Sequence, residues 1–273
     1  MGSDYIRVGI TTAIRKSGLR LPRWSIILPT IGIITSESLL FMGFGHLALG
    51  THLLTLLVCI LSPVILKGDI GMFQIFALVP IYRLVNLGMP VFFELTVFWF
   101  PIIYGPIIPT VYFIGRANQS LPPKVGWKST LVLSPIVIPV CGLLAAVEYH
   151  IIQPEALIPG SNLIQLLMLS IVMVGFVGLA EELLFRGVLQ NALSNRLGNR
   201  YGILLASALF GLMHSGYGIP EELLFGAAIG VFFGVVYHRT ESVALVTVMH
   251  GTLNVFLFAI IPFYRPFSAL IPT

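Results

Sequence analysis

Four polar residues interrupt apolar stretches of this chain: Glu181 in GLAEELLFRG, His214 in ALFGLMHSG, and His250 with Asn254 in VTVMHGTLNVF. A carboxylate beside a histidine can orient and deprotonate a water, and a second histidine with an amide can donate hydrogen bonds to an oxyanion. Those are the parts needed for water attack on an amide bond. On this reading Glu181 is the general base, His214 holds the same water, and His250 and Asn254 stabilise the oxyanion. His250 and Asn254 are spaced i, i+4 and so share a helix face. Glu182 and Arg186 have the same spacing with the acid N-terminal, the better orientation for a side-chain pair, and serve as supporting structure. Glu181 is then turned about 100° away around the helix, without a sequence-local partner.

Other chemistries use the same residue types. One glutamate and two histidines could ligate an open catalytic zinc. The HExxH spacing is absent, however, and the ligands would come from three separate helices. No metal or other cofactor is therefore expected. A serine nucleophile finds no GxSxG elbow, and the adjacency of Ser215 to His214 does not make a catalytic pair. From a different class, an ion- or proton-coupled transporter could use the Glu/His cluster as a relay. A silent scaffold with the same fold needs no activity at all.

These residues must be positioned by helices in a membrane. The 273 residues are 57% hydrophobic and 10% charged, far from the roughly quarter-charged composition of soluble domains. Apolar runs lie near 25–44, 47–66, 71–89, 91–114, 129–147, 161–185, 201–217, 219–238 and 241–263, most of them near the ~20 residues that cross hydrocarbon as helix. They are apolar all round, without the alternation of a transmembrane β-barrel. The expected fold is all-α: a polytopic integral membrane helical bundle of about eight transmembrane helices, with the lipid bilayer as partner.

Residues 1–24 carry Arg7, Arg15, Lys16, Arg20 and Arg23 against Asp4, a basic segment expected to stay cytoplasmic. No small-residue cleavage site follows the next apolar run, so no removable signal peptide is read. The positive excess is explained by topology, and nucleic acid is not an expected partner. Residues 25–273 read as a single transmembrane domain with the catalytic core at about 161–263. Cys59 and Cys141 fall in apolar runs and read as buried free thiols. Glu37, Arg83 and Glu94 in the N-terminal spans are expected to form structural pairs or lie at the interface, facing protein or water.

The loops alternate in charge. Residues 115–128 hold Arg116, Lys124 and Lys128; residues 148–160 hold Glu148 and Glu155 without Lys or Arg; residues 192–200 hold Arg196 and Arg200. That reads as in, out, in, with His238-Arg239 inside again. Counted from the basic residues, Glu181, His214 and His250 lie at depths of roughly 16 to 23 Å, which suits one polar cluster inside a bundle. The segment EELLF recurs at 221–225 after Gly218-Ile219-Pro220. There the acids read as a helix start, where proline and carboxylates are both favoured, at the membrane face opposite Arg239.

The motifs EELLFR (181–186), FGLMH (210–214) and HGTLN (250–254) resemble those of the CAAX-protease and bacteriocin-processing (Abi) family of intramembrane peptidases, which includes Rce1-type prenyl endopeptidases. The resemblance spans 181–254. It implies a helical fold of about eight spans and a metal-free, glutamate-dependent cleavage near the C-terminus of a membrane-associated protein or peptide, in Rce1-like members a prenylated CAAX protein. It also implies Glu181 and His214 on the catalytic water, His250 and Asn254 at the oxyanion, and Phe210 as a packing neighbour. The location would be the cell membrane in a prokaryote and the endoplasmic reticulum membrane in a eukaryote.

Overall fold

Backbone N–H and C=O groups find no water in hydrocarbon, so a chain this apolar must satisfy them within each segment, as helix. A computed structural model describes residues 24–66, 70–88, 97, 99–122 and 125–264, and every regular element among them is helical. The basic residues before Trp24, and Glu94, lie outside the described residues. In chain order the helices are α1 (Trp24–Phe41), α2 (Gly45–Leu66), α3 (Ile70–Gly88), α4 (Trp99–Ala117) and α5 (Trp127–Ile152). They continue as α6 (Leu163–Leu197), α7 (Asn199–Leu212), α8 (Pro220–Thr240) and α9 (Val243–Phe263). Seven are long and apolar enough to cross a membrane, all but α4 and α7. The chain is an integral membrane protein, and seven such helices agree with an expected number of about eight.

The two exceptions have local causes. Helix α4 is long enough at 19 residues, but Pro106, Pro109, its tyrosines and Arg116 dilute its apolar side chains. Helix α7 has only 14 residues, about 21 Å of rise, and stops short of a full crossing. It ends in the turn that bears His214, followed by a single 3-10 turn, Ser215–Tyr217.

Helix α9 lies at the centre, with 67% of its span buried against 28% for α1, α2 and α5. Ser242 caps its start by accepting from the Leu245 N–H at 3.0 Å, as Asn162 caps α6 through Gln165. Helices α6 and α9 touch almost backbone to backbone. A Cβ on Gly178 would sit 2.9 Å from the Thr247 carbonyl oxygen, and one on Gly251 2.5 Å from the Val174 Cα. Small residues at such crossings let membrane helices close up. Gly178 is one turn before Glu182 and Gly251 directly follows His250, so the same crossing brings that acid to that histidine.

Helix α6 is not uniformly α. Met173–Gly178 and Leu183–Gln190 are π-helical and flank the four-residue α segment Leu179–Glu182. A third π segment, Phe256–Ile260, begins two residues after Asn254. Such insertions recur beside functional residues, because the extra residue per turn re-aims the side chains around it.

The N-terminal helices reach the same region. Arg83 on α3 binds Glu37 on α1 through two bonds, Nε at 2.9 Å and Nη2 at 2.5 Å, and His52 Nε2 on α2 lies 3.2 Å from the same carboxylate. The pairing expected for these intramembrane charges is therefore found for Glu37 and Arg83. Ser215 joins them, donating to Glu37 Oε2 at 2.5 Å and accepting from Arg83 Nη2 at 3.1 Å. The turn after His214 is thus held by α1 and α3. Cys59 and Cys141 are buried free thiols.

Candidate active site

Glu181 and Glu182 are neighbours on α6 with different surroundings. Glu182 is fully buried, and its Oε1 accepts from Arg186 Nη1 at 3.0 Å and from His250 Nδ1 at 2.8 Å. Arg186 also donates to the Gly230 carbonyl at 3.3 Å, and its guanidinium stacks 4.2 Å from the Phe210 ring centroid. Phe210 meets His214 and His250 edge-on, with centroids 5.2 and 5.9 Å away. One phenyl ring thus packs against the arginine and both histidines.

Glu181 keeps a 14% exposed side chain, with Oε2 3.8 Å from His250 Nε2. That separation is too long for a direct hydrogen bond and is one that a water can bridge. The partner that sequence spacing could not supply is Tyr82 on α3, whose hydroxyl donates to Glu181 Oε1 at 2.5 Å. The Tyr104 hydroxyl lies 3.0 Å from that of Tyr82, and the Asn86 amide donates to Tyr104 at 3.4 Å. A phenol has one proton, so with Tyr82 donating to the carboxylate, Tyr104 donates to Tyr82. The chain Asn86, Tyr104, Tyr82 ends on Glu181. Tyr82 and Asn86 are spaced i, i+4 in an apolar run, and this was the available sequence signal.

The two histidines have distinct roles open to them. His214 Nδ1 lies 3.1 Å from the Phe210 carbonyl, which can only accept. Nδ1 therefore carries a proton, and in the neutral ring Nε2 is left to accept one. His250 has a carboxylate oxygen beyond each ring nitrogen, and can donate from both when it is an imidazolium. Asn254, one turn on, is 8% exposed, and its amide makes no hydrogen bond among the described residues.

His214, His250, Asn254 and Phe210 line one cavity of about 30 Å³, room for a water or two. Glu181 is not part of its lining, but its Oε2 lies 3.8 Å from Nε2 of the lining His250, and it is close enough to His214 for their charges to interact. Among the described residues no group of three or more His, Cys, Asp or Glu side chains is arranged to hold a metal ion.

Two further acids line the same cavity, Glu148 and Glu222. Both correct the sequence reading. The charge pattern places Glu148 in an outer loop, but α5 runs on to Ile152 and buries it to 7% exposure, on the face of Cys141 and Ala145. Helix α8 does begin at Pro220, with Glu221 exposed as a helix start allows. Glu222, however, is 0% exposed and turned inward. Counting explains the error: Glu222 lies 17 residues before Arg239 and Glu181 lies 15 before Arg196, a difference of about 3 Å along a helix, well under one turn. The two acids were never on opposite sides of the site. The missed signal was Gly226, Gly230 and Gly234, which repeat at i+4 from Glu222 and mark its face as the one in close contact. A Cβ on Gly226 would lie 3.0 Å from His214 Nδ1.

Residues 163–256 match a family model described as type II CAAX prenyl endopeptidase Rce1-like. This stretch carries every motif of the resemblance. It covers α6 to α8 and most of α9, including Glu181, His214, His250 and Asn254. The protein described as "Putative membrane peptidase YdiL" from Bacillus subtilis (strain 168) is 26% identical over 121 residues, 42% of this chain and 48% of that protein. The similarity thus spans about half the length of that relative. No solved structure matches the chain. The transporter alternative gains no support from either match.

Proposed function

We propose that the protein is an intramembrane endopeptidase in which Glu181 and His214 activate a water. The observation that carries this reading is the water-sized cavity on which His214, His250 and Asn254 converge, with Glu181 Oε2 3.8 Å from the Nε2 of its lining residue His250. Tyr82 occupies Glu181 Oε1 and leaves Oε2 to take the proton. The water oxygen then attacks the scissile carbonyl carbon, forming a C–O bond and an oxyanion. His250 Nε2–H and the Asn254 amide donate to that oxyanion, in a low-dielectric pocket where such bonds are worth most. Collapse breaks the C–N bond, and the proton held by Glu181 passes to the leaving amine. Glu182, fixed by Arg186, orients His250 through Nδ1, as a buried carboxylate orients a catalytic histidine elsewhere.

The substrate class that this reading favours is a membrane-associated protein or peptide, cut near its C-terminus, with prenylated CAAX sequences as the first candidates. The match to an Rce1-like family model supports that choice. The proposed location is the cell membrane or, in a eukaryote, the endoplasmic reticulum membrane, with the N-terminus cytoplasmic. The test is mass spectrometry of a farnesylated CAAX peptide and its unprenylated counterpart after incubation with wild type or Glu181→Gln in nanodiscs, with and without a chelator. Release of a C-terminal fragment by wild type alone, undiminished by chelator, is the expected result. Equal release by Glu181→Gln would remove Glu181 from the mechanism, and chelator-sensitive release rescued by zinc would replace the metal-free step.

A further inference from the structure

The hydrolysis above makes no use of Glu222, yet its position is costly. Its side chain is completely buried, and neither carboxyl oxygen has a hydrogen-bond partner. It faces the cavity together with Glu148, and the two are near enough for their charges to interact. The buried arginines are committed elsewhere, Arg83 to Glu37 and Arg186 to Glu182. No ion pair among the described residues reaches Glu148 or Glu222. Buried carboxyls of this kind are stabilised only when a proton or a cation compensates them.

The surroundings favour a cation of a particular shape. The cavity, at about 30 Å³, has room for a water or two, so an ammonium head, close to water in size, can take the second place beside the water that is consumed. Phe225, Ile229 and Leu253 give its wall an apolar stretch, suited to the methylene stem of a long side chain. Tyr217 stacks on His214 with ring centroids 6.4 Å apart, remains 48% exposed, and feels the charges of both acids.

We propose that Glu148 and Glu222 form a subsite for the ammonium group of a lysine in the peptide being cleaved, holding that lysine beside the scissile amide. The inference rests on the peptidase reading and gives it a substrate preference. Helix α8 supplies Glu222 to the lysine and Gly226 to the His214 ring, so one rigid element sets the distance between the recognised side chain and the water-activating histidine.

The experiment uses the full chain in nanodiscs and two fluorescent membrane-inserting peptides that differ only in one internal residue, lysine or norleucine. Binding is read by anisotropy on Glu181→Gln, so that no peptide is consumed, and cleavage by wild type is followed separately by mass spectrometry. The lysine peptide should bind at least tenfold more tightly. In Glu181→Gln/Glu148→Gln/Glu222→Gln that advantage should shrink to within twofold. If this protein does not fold, as judged by size exclusion, each acid is removed singly on Glu181→Gln, and either change should at least halve the advantage. Equal binding of the two peptides, binding of neither, or a preference that survives loss of the carboxyls overturns the subsite. The peptidase reading fails differently: wild type then cuts neither peptide although the lysine preference in binding persists. Equal cleavage and equal binding of both peptides keeps the peptidase and removes the subsite.

Discussion

The chain uses the pentapeptide EELLF twice, and the two copies end up in different electrostatic conditions. In the first copy Glu182 shares Arg186 and His250, Leu184 is 0% exposed, and Glu181 is bound by Tyr82. In the second, Glu222 is equally buried but unpartnered, Leu224 is 72% exposed, and Glu221 faces outward. The decisive difference lies one residue beyond each copy. The i+4 neighbour of Glu182 is arginine, whereas that of Glu222 is Gly226, which must be small because His214 packs against it. A helix can pair an acid along its own axis or admit a neighbouring helix at that spot, but not both. The first copy chose the pair and the second the crossing.

That contrast is most easily broken at the first acid of each copy. Glu181→Gln should lower kcat by about 10²- to 10⁴-fold, the usual contribution of a general base. Glu221→Gln, its counterpart at an exposed helix start, should leave cleavage within about twofold, as surface changes outside such features do. Comparable losses at the two positions would mean that the copies are functionally alike. The next largest effect is expected in stability. Arg186→Met leaves Glu182 buried beside His250 alone, and should cost about 3 to 5 kcal/mol, as breaking one side of a buried pair does. Thermal unfolding in detergent should show partial recovery when Glu182→Gln is added to Arg186→Met. A double variant as unstable as Arg186→Met would deny that the ion pair is the cause.

How much of this was legible beforehand follows from which relations run along one helix and which run between helices. Glu182 with Arg186, and His250 with Asn254, are i, i+4 relations that any α-helix enforces, so their pairing on one face could be read directly. The membrane bundle followed from apolar length alone. Tyr82 reaches Glu181 across 99 residues of sequence, and no local spacing encodes that contact. Nor does any residue pattern announce the π segments on either side of Leu179–Glu182. Glu222 was partly legible. Its helix start was correctly placed, but its inward direction lay in the glycines at 226, 230 and 234 rather than in the acid itself.

Tyr82 sharpens the comparison from the side of the first copy, because neither oxygen of Glu222 has a phenol to hold it. Tyr82→Phe removes one hydrogen bond to a charged group, worth about 1.5 to 3 kcal/mol, and leaves the ring in place. The expected result is a fall in kcat of about ten- to a hundredfold with KM little changed, since the bond orients the base and is not a substrate contact. A purely structural role would instead lower the unfolding temperature and leave kcat of the folded fraction at the wild-type value.

The smallest effect, and the one with the opposite sign, belongs to Glu222→Gln. In the first copy the matching change, Glu182→Gln, strands a buried guanidinium and should destabilise. In the second copy no cation is stranded, because none is paired with Glu222 among the described residues. Exchanging a carboxyl for an amide of nearly the same shape removes only an ionisable group from an apolar site, so stability should hold or rise by up to about 1 kcal/mol. Thermal unfolding of the two variants side by side reads the difference in sign. A loss at Glu222 as large as the loss at Glu182 would reveal a partner that the second copy holds after all, and the distinction between a helix that pairs its acid and one that gives up the pair for a crossing would fall.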